Sequence, residues 1–364
     1  MQLFYSVVSC IGMSALLMLE YIVKKSDTIV PSNKRFFRLS IWTVVVVMAA
    51  EIITTVFENA PVSYRPLHIL GNVLGFSLSP FVPLLIGEAI DGSHKKSLFA
   101  FVAAPVINLV FTVFSIWFPL IFRVSDENGY ERGEVFWLYT LSYTVGLVYL
   151  LFQTFFITRE YQGNNRRIPV VLFLFVCLGT VGQVMVPQLH VSWLCVAFSI
   201  ALYYIYYCDL MHQIDGLTGL LNRRAYEYHI RRFRGGGGAA VVLFDVDDFK
   251  SINDRYGHPF GDYCLTTVSV CIRRAFFKIG LCFRIGGDEF CVLARKTDQA
   301  AVQKAYEKFL REIELIRRTE SRLPMVSIGY SFADASSKGI SVAVFEADQN
   351  MYQFKRKRKE AALQ

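Results

Sequence analysis

The stretch LCFRIGGDEFCVLA, residues 281–294, decides the fold of the second half of this chain. Two apolar, β-favouring runs flank the four residues Gly-Gly-Asp-Glu, a spacing that is typical of a β-hairpin. We expect positive φ angles at Gly286 and Gly287, because hairpin turns use glycine to reach that region. The pattern therefore places the carboxylates of Asp288 and Glu289 at the tip of a hairpin.

A second acidic cluster lies upstream. The run AAVVLFDVDDFK, residues 239–250, is typical of a buried strand that ends at Asp245 and is followed by Asp247, Asp248 and Lys250. Carboxylates at the ends of adjacent strands can converge on Mg²⁺, which binds one or two carboxylates together with phosphate oxygens. Two such ions would polarise a phosphoryl group and help to deprotonate an attacking hydroxyl. Either cluster alone is also typical of a solvated turn, and Asp247 and Asp248 are interpreted as caps of the following helix.

The remaining pattern of the second half alternates helices with strands. A four-glycine loop, 235–238, precedes the first strand, and the order of elements is βααββαβα. This order, with a central antiparallel hairpin, predicts an α+β sheet with helices packed on it. The predicted helices are 222–234, 249–255, 260–277, 300–318 and 342–357, and the last strand is 325–332.

The first 208 residues have a different composition. They hold 13 Lys and Arg and 11 Asp and Glu, whereas residues 209–364 hold 25 and 19. This distribution excludes a single soluble globule, a disordered chain and a disulfide-rich secreted module. Stretches of spanning length predict an all-α, seven-helix transmembrane domain, 1–208, followed by a soluble domain, 209–364. The seven stretches are 3–23, 39–56, 67–89, 98–122, 135–158, 168–187 and 191–208.

The loops between these stretches predict an orientation. Ten Lys and Arg residues lie in segments 24–38, 91–97 and 159–167, whereas the alternate loops carry only Arg65, Arg123 and Arg132. Basic residues favour the cytoplasmic side, so the N-terminus is predicted outside and residues 209–364 in the cytoplasm. The protein is thus expected to be a multi-pass protein of the inner or plasma membrane. Of the net charge of +8, +6 belongs to the second half, which favours an anionic ligand or a membrane surface; we predict no nucleic-acid partner.

Some polar residues are predicted at membrane depth, where they are candidate sensors. Glu51 lies well inside the second stretch, and Glu20 and Glu88 lie nearer the ends of theirs. The alternative is that Glu20 and Glu88 snorkel and that the amides bond neighbouring helices; these amides are Asn108, Gln153 and Gln183. The eight cysteines show no CxxC spacing and are interpreted as buried thiols outside disulfides and metal sites.

Five blocks together resemble a known family. They are DGLTGLLNRRAY, FDVDDFKSINDRYGHPFGD, RIGGDEF, SIGYSF and ADQNMYQFKRK, the pattern of the GGDEF-type diguanylate cyclases, and the resemblance covers residues 215–359. It implies a palm-like fold akin to the class III nucleotide cyclases. It also implies condensation of two GTP into cyclic di-GMP with release of pyrophosphate. Because each domain would hold one GTP, the active form would be a homodimer.

The resemblance implies a metal site and a phosphate site. Asp245 and Asp288 would ligate Mg²⁺ (or Mn²⁺) with the carbonyl of Val246. Asp288 would also accept the proton of the ribose 3′-hydroxyl, and Glu289 would support the metal. Lys250 would stabilise charge on the transferring phosphoryl group.

The same resemblance implies a nucleotide pocket. Asn253 and Asp262 would read the guanine edge, with His258 beside the base, although His258 is equally typical of a structural helix start. Gly286 and Gly287 would let the nucleotide approach the backbone closely. Lys355 would contact phosphates from the last helix; the alternative is that the run KRKRK, 355–359, is a solvated basic tail.

Two departures from the family pattern qualify these expectations. The RxxD inhibitory site of many members falls on Phe277 and Gly280, so product inhibition by that route is not expected. The usual glycine and second basic residue of the last helix fall on Arg358 and Lys359. The alternative functions are a catalytically silent receptor that binds GTP as an effector and, more remotely, a transporter with a regulatory domain. Retention of the acidic residues favours catalysis.

Overall fold

A computed structural model describes residues 2–26, 29–90, 95–160, 167–185, 192–233, 238–295, 297–333 and 339–362. The chain divides into two compact units, Met1–His212 and Gln213–Gln364. The sequence boundary at residue 208 lies four residues before this division. Helix bounds show why: the last helix of the first unit runs on to Met211.

The first unit is helical. Its described helices are α1 (Gln2–Lys25), α2 (Pro31–Phe57), α3 (Arg65–Leu78), α4 (Val82–Ile90), α5 (Lys95–Phe114), α6 (Phe136–Glu160), α7 (Arg167–Met185) and α8 (Ser192–Met211). Short 3₁₀ turns occupy Val62–Tyr64 and Ser79–Phe81. The second of these divides the third predicted stretch at Pro80, whose ring prevents an unbroken helix.

Five segments of the described chain are long and apolar enough to cross a membrane. They are Tyr5–Lys25, Pro31–Phe57, Val62–Ile90, Phe136–Phe155 and Ser192–Met211. Two shorter apolar helices, Phe99–Phe114 and Val170–Gly182, fall within the other two predicted stretches. Each predicted stretch thus contains helix, while the count of seven spans stays a prediction. The predicted cytoplasmic loops lie partly outside the described residues, at 27–28, 91–94 and 161–166.

The predicted stretch 98–122 is too long. Helix α5 ends at Phe114, and β1 (Phe122–Val124) pairs antiparallel with β2 (Tyr130–Arg132). Asn128, in the hairpin turn, is fully buried, and its Nδ2 donates to the carbonyl oxygens of Phe57 and Ala60 at 2.7 and 3.0 Å. These bonds attach the hairpin to the end of α2, which apolar periodicity alone does not predict.

The polar residues inside the first unit have specific partners. Glu20 accepts a hydrogen bond from Arg38 Nε at 2.8 Å. Glu88 is only 2% exposed and accepts from the hydroxyl of Tyr149, so the snorkelling interpretation is wrong for it. Asn108 Nδ2 donates to the carbonyl oxygen of Phe76 on α3 at 2.8 Å, and Gln153 Nε2 donates to Glu88 Oε1 on α4 at 3.4 Å. The amide interpretation holds for these two, whereas the side chain of Gln183 lies outside the described residues.

The second unit has a four-stranded antiparallel sheet in the order β4-β5-β3-β6. The elements are α9 (Arg223–Arg231), β3 (Ala239–Val246), α10 (Phe249–Tyr256), α11 (His258–Phe276), β4 (Gly280–Arg284), β5 (Glu289–Arg295), α12 (Gln299–Thr319), β6 (Val326–Ala333) and α13 (Ile340–Ala362). The predicted α+β class and element order are confirmed. The predicted loop 235–238 lies outside the described residues except for Gly238.

Strand β3 is central and buried on both faces. Val242 and Phe244 pack with α11 and α12 on one face, and Val241 and Leu243 pack with α9 and α13 on the other. Both faces are covered, which explains why the strand is an uninterrupted apolar run rather than an alternating one. The four cysteines of this unit are buried. None of the eight cysteines, all of which lie in the described chain, forms a disulfide.

Candidate active site

The two acidic clusters meet at one end of the central strands. Asp245, near the end of β3, is the direct cross-strand partner of Glu289, the first residue of β5. The backbone N–H of Val246 donates to the carbonyl oxygen of Asp288 at 3.1 Å. Opposite residues in an antiparallel pair have Cβ atoms about 5 Å apart. The register therefore brings Asp245, Asp288 and Glu289 to one sheet end, as the sequence predicts.

The hairpin turn does not have the predicted backbone. Within the described residues, the glycines with positive φ are Gly219, Gly238 and Gly257, so the expectation for Gly286 and Gly287 is wrong. Instead, the N–H groups of Ile285 and Gly286 both donate to the carbonyl oxygen of Glu289, at 2.9 and 3.3 Å. A four-residue connection closed in this way does not need the left-handed region of a two-residue turn.

The two glycines provide space instead. A Cβ atom at Gly286 would lie 2.6 Å from Glu289 Oε2, so a side chain there would displace the glutamate. A Cβ atom at Gly287 would meet nothing within 4 Å, and this residue is exposed. The backbone beside Asp288 is thus open to the close approach of another molecule.

A cation from α13 reaches the acidic cluster. Lys355 Nζ lies 2.5 Å from Asp245 Oδ1 and 3.7 Å from Asp247 Oδ1. Burial alone would lower the pKa of Lys355, but the hydrogen bond with Asp245 and the charges of Asp245, Asp247 and Asp248 raise it overall. Lys355 is therefore an ammonium ion at neutral pH. It is half-buried in the site, so the solvated-tail interpretation is wrong for this residue.

Asp247 and Asp248 do not cap α10. Asp247 accepts a hydrogen bond from Ser327 Oγ at 2.7 Å and lies 3.5 Å from Arg358 NH1. Asp248 occupies the N-cap position with a φ of 55°, but its side chain makes no capping hydrogen bond. The capping interpretation fails because β6 and α13, which are remote in sequence, supply partners for Asp247 that α10 does not.

The carboxylates of the site repel one another. Burial and the neighbouring charges of Asp288, Asp245 and Asp348 raise the pKa of Glu289. A raised carboxyl pKa is typical of acidic groups that share a site. Lys355 offsets part of this charge, but the cluster stays a place that favours an added cation.

Metal binding requires more than these side chains. Within the part of the chain that the structure describes, no three His, Cys, Asp or Glu side chains are placed to hold a metal ion by themselves. Mg²⁺, however, is commonly bound by one or two carboxylates together with substrate phosphates and water. Asp245 and Asp288, oxygen donors at one sheet end, suit that mode of binding.

Helices α10 and α11 carry the predicted nucleotide residues. Lys250 is exposed in the first turn of α10, and His258 and Asp262 are exposed in the first two turns of α11. The carbonyl oxygen of Asn253 accepts from the N–H of Gly257, at the junction of the two helices. His258 is the first residue of α11, in agreement with the helix-start interpretation, and its exposed ring is also accessible to a ligand.

The side chain of Asn253 is held against the backbone of α11. Its Oδ1 is buried and accepts no hydrogen bond from the described part of the chain. A Cβ atom at Gly261 would lie only 1.9 Å from this oxygen. Glycine at 261 is therefore required for the position that Asn253 occupies, and a buried acceptor without a donor is costly unless another molecule supplies one.

Sequence reasoning missed an ion pair that holds the hairpin turn. Arg284 NH1 lies 3.1 Å from Asp215 Oδ1, and Arg284 NH2 donates to the carbonyl oxygen of Gly287 at 2.7 Å. Asp215 also accepts from the N–H and hydroxyl of Thr218, at 2.9 and 2.7 Å. Both partners of the ion pair lie in the blocks DGLTG and RIGGDEF, and their presence there was the available signal.

One of the two positions of the absent inhibitory motif, Gly280, is sterically unsuited to an aspartate. Phe277 is the C-cap residue of α11, and Gly280 begins β4 opposite Ala294. A Cβ atom at Gly280 would lie 2.9 Å from Ala294 Cα, so the backbone would have to shift to admit an aspartate.

Comparison with known proteins finds a family model that matches the C-terminal part of the chain. Residues 212–361 match the family model described as "Diguanylate cyclase, GGDEF domain". The C-terminal part of the chain is therefore a GGDEF domain with diguanylate cyclase homologues, and the apolar helices before it are compatible with membrane anchoring.

The relatives differ in their named activities. The cyclic di-GMP phosphodiesterase PdeR of Escherichia coli is 32% identical over 148 residues, which cover 39% of this chain and 22% of that protein. The diguanylate cyclase DgcS of Shewanella oneidensis is 38% identical over 98 residues, 26% of this chain and 33% of that protein. The chain thus spans a third or less of these relatives. Among solved structures, the GGDEF domain of DgcB from Caulobacter crescentus in complex with c-di-GMP is 27% identical, with a TM-score of 0.36; the match covers 40% of this chain and 91% of that one.

Proposed function

We propose that the chain is a membrane-anchored diguanylate cyclase, which joins two GTP molecules into cyclic di-GMP and releases two pyrophosphates. The observation that carries this proposal is the cluster of Asp245, Asp288 and Glu289 at one end of β3 and β5, with Lys355 beside it. A domain that only bound GTP would not need to keep three mutually repelling carboxylates together. The retained cluster therefore favours catalysis over a silent receptor.

The proposed metal ligands are Asp245, Asp288 and the carbonyl oxygen of Val246, with Glu289 in support. A bound Mg²⁺ or Mn²⁺ would polarise the α-phosphoryl group and neutralise charge that develops on it. The open backbone at Gly287 would admit the triphosphate next to these ligands.

Protein groups would perform the remaining steps. A carboxylate oxygen of Asp288 would accept the proton of the attacking 3′-hydroxyl. Lys250, in the first turn of α10, would stabilise negative charge on the transferring group. Lys355, now paired with Asp245, would turn to the phosphates when these bring their own negative charge to the site.

Guanine recognition is assigned to α10 and α11. Asp262 can accept hydrogen bonds from N1–H and the 2-amino group of guanine, and adenine lacks that pair of donors. Asn253 and His258 lie at the same helix junction and would complete the base pocket.

The chemistry requires two domains. Each would hold one GTP, and each 3′-hydroxyl would attack the nucleotide of the other domain, so the active form would be a symmetric homodimer. The membrane unit would control how the cytoplasmic domains meet. A flexible Gly/Ser insertion after Met211 should then uncouple cyclase activity from that unit, and an unchanged response would contradict such control.

The decisive experiment is incubation of the full chain in nanodiscs with GTP and Mg²⁺, with cyclic di-GMP measured by mass spectrometry. The wild type should form the product and Asp288→Asn should form none. Asp298→Asn is the matched control, because Asp298 caps α12 beyond the opposite end of β5 and asparagine caps equally well. GTP binding by a dimer without product would instead establish the silent receptor.

A further inference from the structure

The first unit contains a cavity of about 270 Å³ that the proposed cyclase reaction does not use. Its lining comes from α2, α3, the hairpin strand β2, α6 and α8. The lining residues include Glu51 of α2, Glu58 at the C-cap of α2, His68 of α3 and Trp193 of α8. The cavity is therefore assembled by elements that the chain brings together over nearly the whole first unit.

The aliphatic hydroxyls of the lining are restricted to accepting hydrogen bonds. The hydroxyls of Thr54 and Thr55 donate to the carbonyl oxygen of Glu51, at 2.9 and 2.8 Å, and that of Ser79 donates to Gly75. A hydroxyl has one proton and two lone pairs. Because the proton of each is used within its own helix, each can offer a ligand only lone pairs.

The hairpin determines the tautomer of His68. Asn128 Nδ2 donates to two backbone carbonyls, so its Oδ1, 3.0 Å from His68 Nδ1, must be an acceptor. Nδ1 of His68 therefore carries the hydrogen, and Nε2 of the neutral ring carries a lone pair. His68 is 1% exposed, so its hydrogen-bonding groups lie in the interior of the first unit.

The charges of the lining are negative. Glu51 and Glu58 supply carboxylates, and none of the described residues that line the cavity is Lys or Arg. Four aromatic side chains complete the wall, and the faces of such rings attract cations; they are Phe76, Tyr130, Tyr139 and Trp193.

We propose that this cavity binds a small organic cation, a primary amine with an apolar body. Its ammonium group would donate to the carboxylates and to the lone pairs of the hydroxyls and His68, and its apolar part would lie against the aromatic wall. The volume is just below the range of roughly 300–1,000 Å³ that is usual for drug-sized ligands, so the ligand is small.

The position of the cavity fits a signal that arrives from outside. Glu58 and Tyr130 belong to loops that the distribution of basic residues assigns to the non-cytoplasmic side. Trp193 lies near the start of α8, the helix that ends at Met211 next to the cytoplasmic domain in sequence. A ligand that contacts Trp193 would thus act on the helix that precedes the GGDEF domain.

Binding can be measured through Trp193. All four tryptophans lie in the first unit, and the other three, which are exposed, can be replaced by phenylalanine: Trp42, Trp117 and Trp137. The full chain with Trp193 alone, in nanodiscs at pH 7, is titrated with 2-phenylethylamine, 2-phenylethanol and phenylacetate. These three probes share a shape and differ in charge. A chain with Trp42 alone reports partition of the probes into lipid.

The proposal requires saturable binding of the amine at Trp193, at least tenfold weaker binding of the alcohol and no binding of the carboxylate. Glu51→Gln and Glu58→Gln should each weaken amine binding at least fivefold. Glu131→Gln, at an exposed position outside the lining, should leave amine binding unchanged. Equal binding of the three probes, or an amine signal at Trp193 no different from that at Trp42, would overturn it. The comparison of the three probes on the protein that keeps both glutamates tests the proposal even if a glutamine variant fails to fold. Cyclase activity is not a readout, so a failure here is separate from a failure of the proposed function.

Discussion

The ammonium of Lys355 lies 2.5 Å from Asp245 Oδ1, although 110 residues separate the two in sequence. Helix α13 crosses the sheet beside β3 and β6 and so brings a cation to the end of the central strand. This ion pair partly balances the negative charge of the hairpin carboxylates. Under the proposed function, the same lysine would contact the phosphates of a bound triphosphate.

Replacement of Lys355 should impair nucleotide use. A hydrogen bond to a charged group contributes about 1.5–3 kcal/mol, so we expect Lys355→Met to lower kcat/KM for GTP about tenfold or more. Lys357→Met, an exposed position two residues further on the same helix, should leave kcat/KM unchanged. Equal kinetics of both variants would show that Lys355 has no role in the reaction.

Glu289→Gln should stabilise the domain while it lowers activity. Burial and the charges of Asp288, Asp245 and Asp348 raise the pKa of Glu289. The group therefore favours the folded state most when protonated, and this contribution falls as pH rises through the raised pKa. Because solvent screens the exposed group, we expect Tm at pH 7.5 to rise by only about 1–2 °C.

The control for this variant is Glu307→Gln on α12, which keeps its hydrogen bond with Gln303. Calorimetry of the full chain between pH 5 and 8 provides the measurement. The gain of Glu289→Gln over the wild type should shrink as pH falls. A lower Tm for Glu289→Gln at neutral pH would contradict the repulsion.

Arg284→Lys should loosen the hairpin turn. Arg284 holds Asp215 and the carbonyl oxygen of Gly287 through two nitrogens of one guanidinium, and a lysine cannot reproduce this fork. We expect a loss of about 1–3 kcal/mol in stability and faster hydrogen exchange at residues 285–289. The exposed Arg274→Lys on α11 serves as the control, and unchanged exchange in Arg284→Lys would exclude a positioning role.

Asp215→Asn should weaken the dependence of the free energy of unfolding on pH in the acid range. Burial alone would raise the pKa of Asp215, but the hydrogen bonds from Thr218 and the charge of Arg284 lower it below the ordinary 3.8. The stabilisation from this carboxylate is complete above pH 3.8 and is lost as pH falls from there through the lowered pKa. Acid unfolding, followed by hydrogen exchange of residues 215–222, should show a steeper pH dependence in the wild type than in the variant.

Gly261→Ala should act through Asn253. The new methyl group would lie 1.9 Å from Asn253 Oδ1, so the amide must move. Alanine favours a helix by up to about 1 kcal/mol over glycine, so we expect weaker GTP binding, about tenfold, without loss of helix. Gly216→Ala, which meets nothing within 4 Å, should bind GTP as the wild type does. Equal affinities of these two variants, measured by titration calorimetry, would exclude a role for Asn253 in the pocket.

Local patterns predicted much of the second unit. The run AAVVLF forms β3, and the flanking runs of the hairpin form β4 and β5, because a short continuous apolar run bounded by turn residues is a property of neighbouring residues. The same reasoning located Asp245 and Asp288 at strand ends. It failed at Gly286 and Gly287, since turn geometry depends on which carbonyl oxygen closes the turn.

The sequence by itself determined the two parts of this protein, an apolar helical part and an α+β part of ordinary charge density, because composition and periodicity are local properties. The resemblance of the second part to the GGDEF family rests on its motifs, which are also local. Only the tertiary structure paired Lys355 with Asp245 and Arg284 with Asp215, since the helices and strands that carry them meet across long sequence separations. It alone also formed the cavity from α2, α3, β2, α6 and α8 and set the tautomer of His68 through Asn128. These features follow from packing in three dimensions, and no window along the chain contains both partners of any of them.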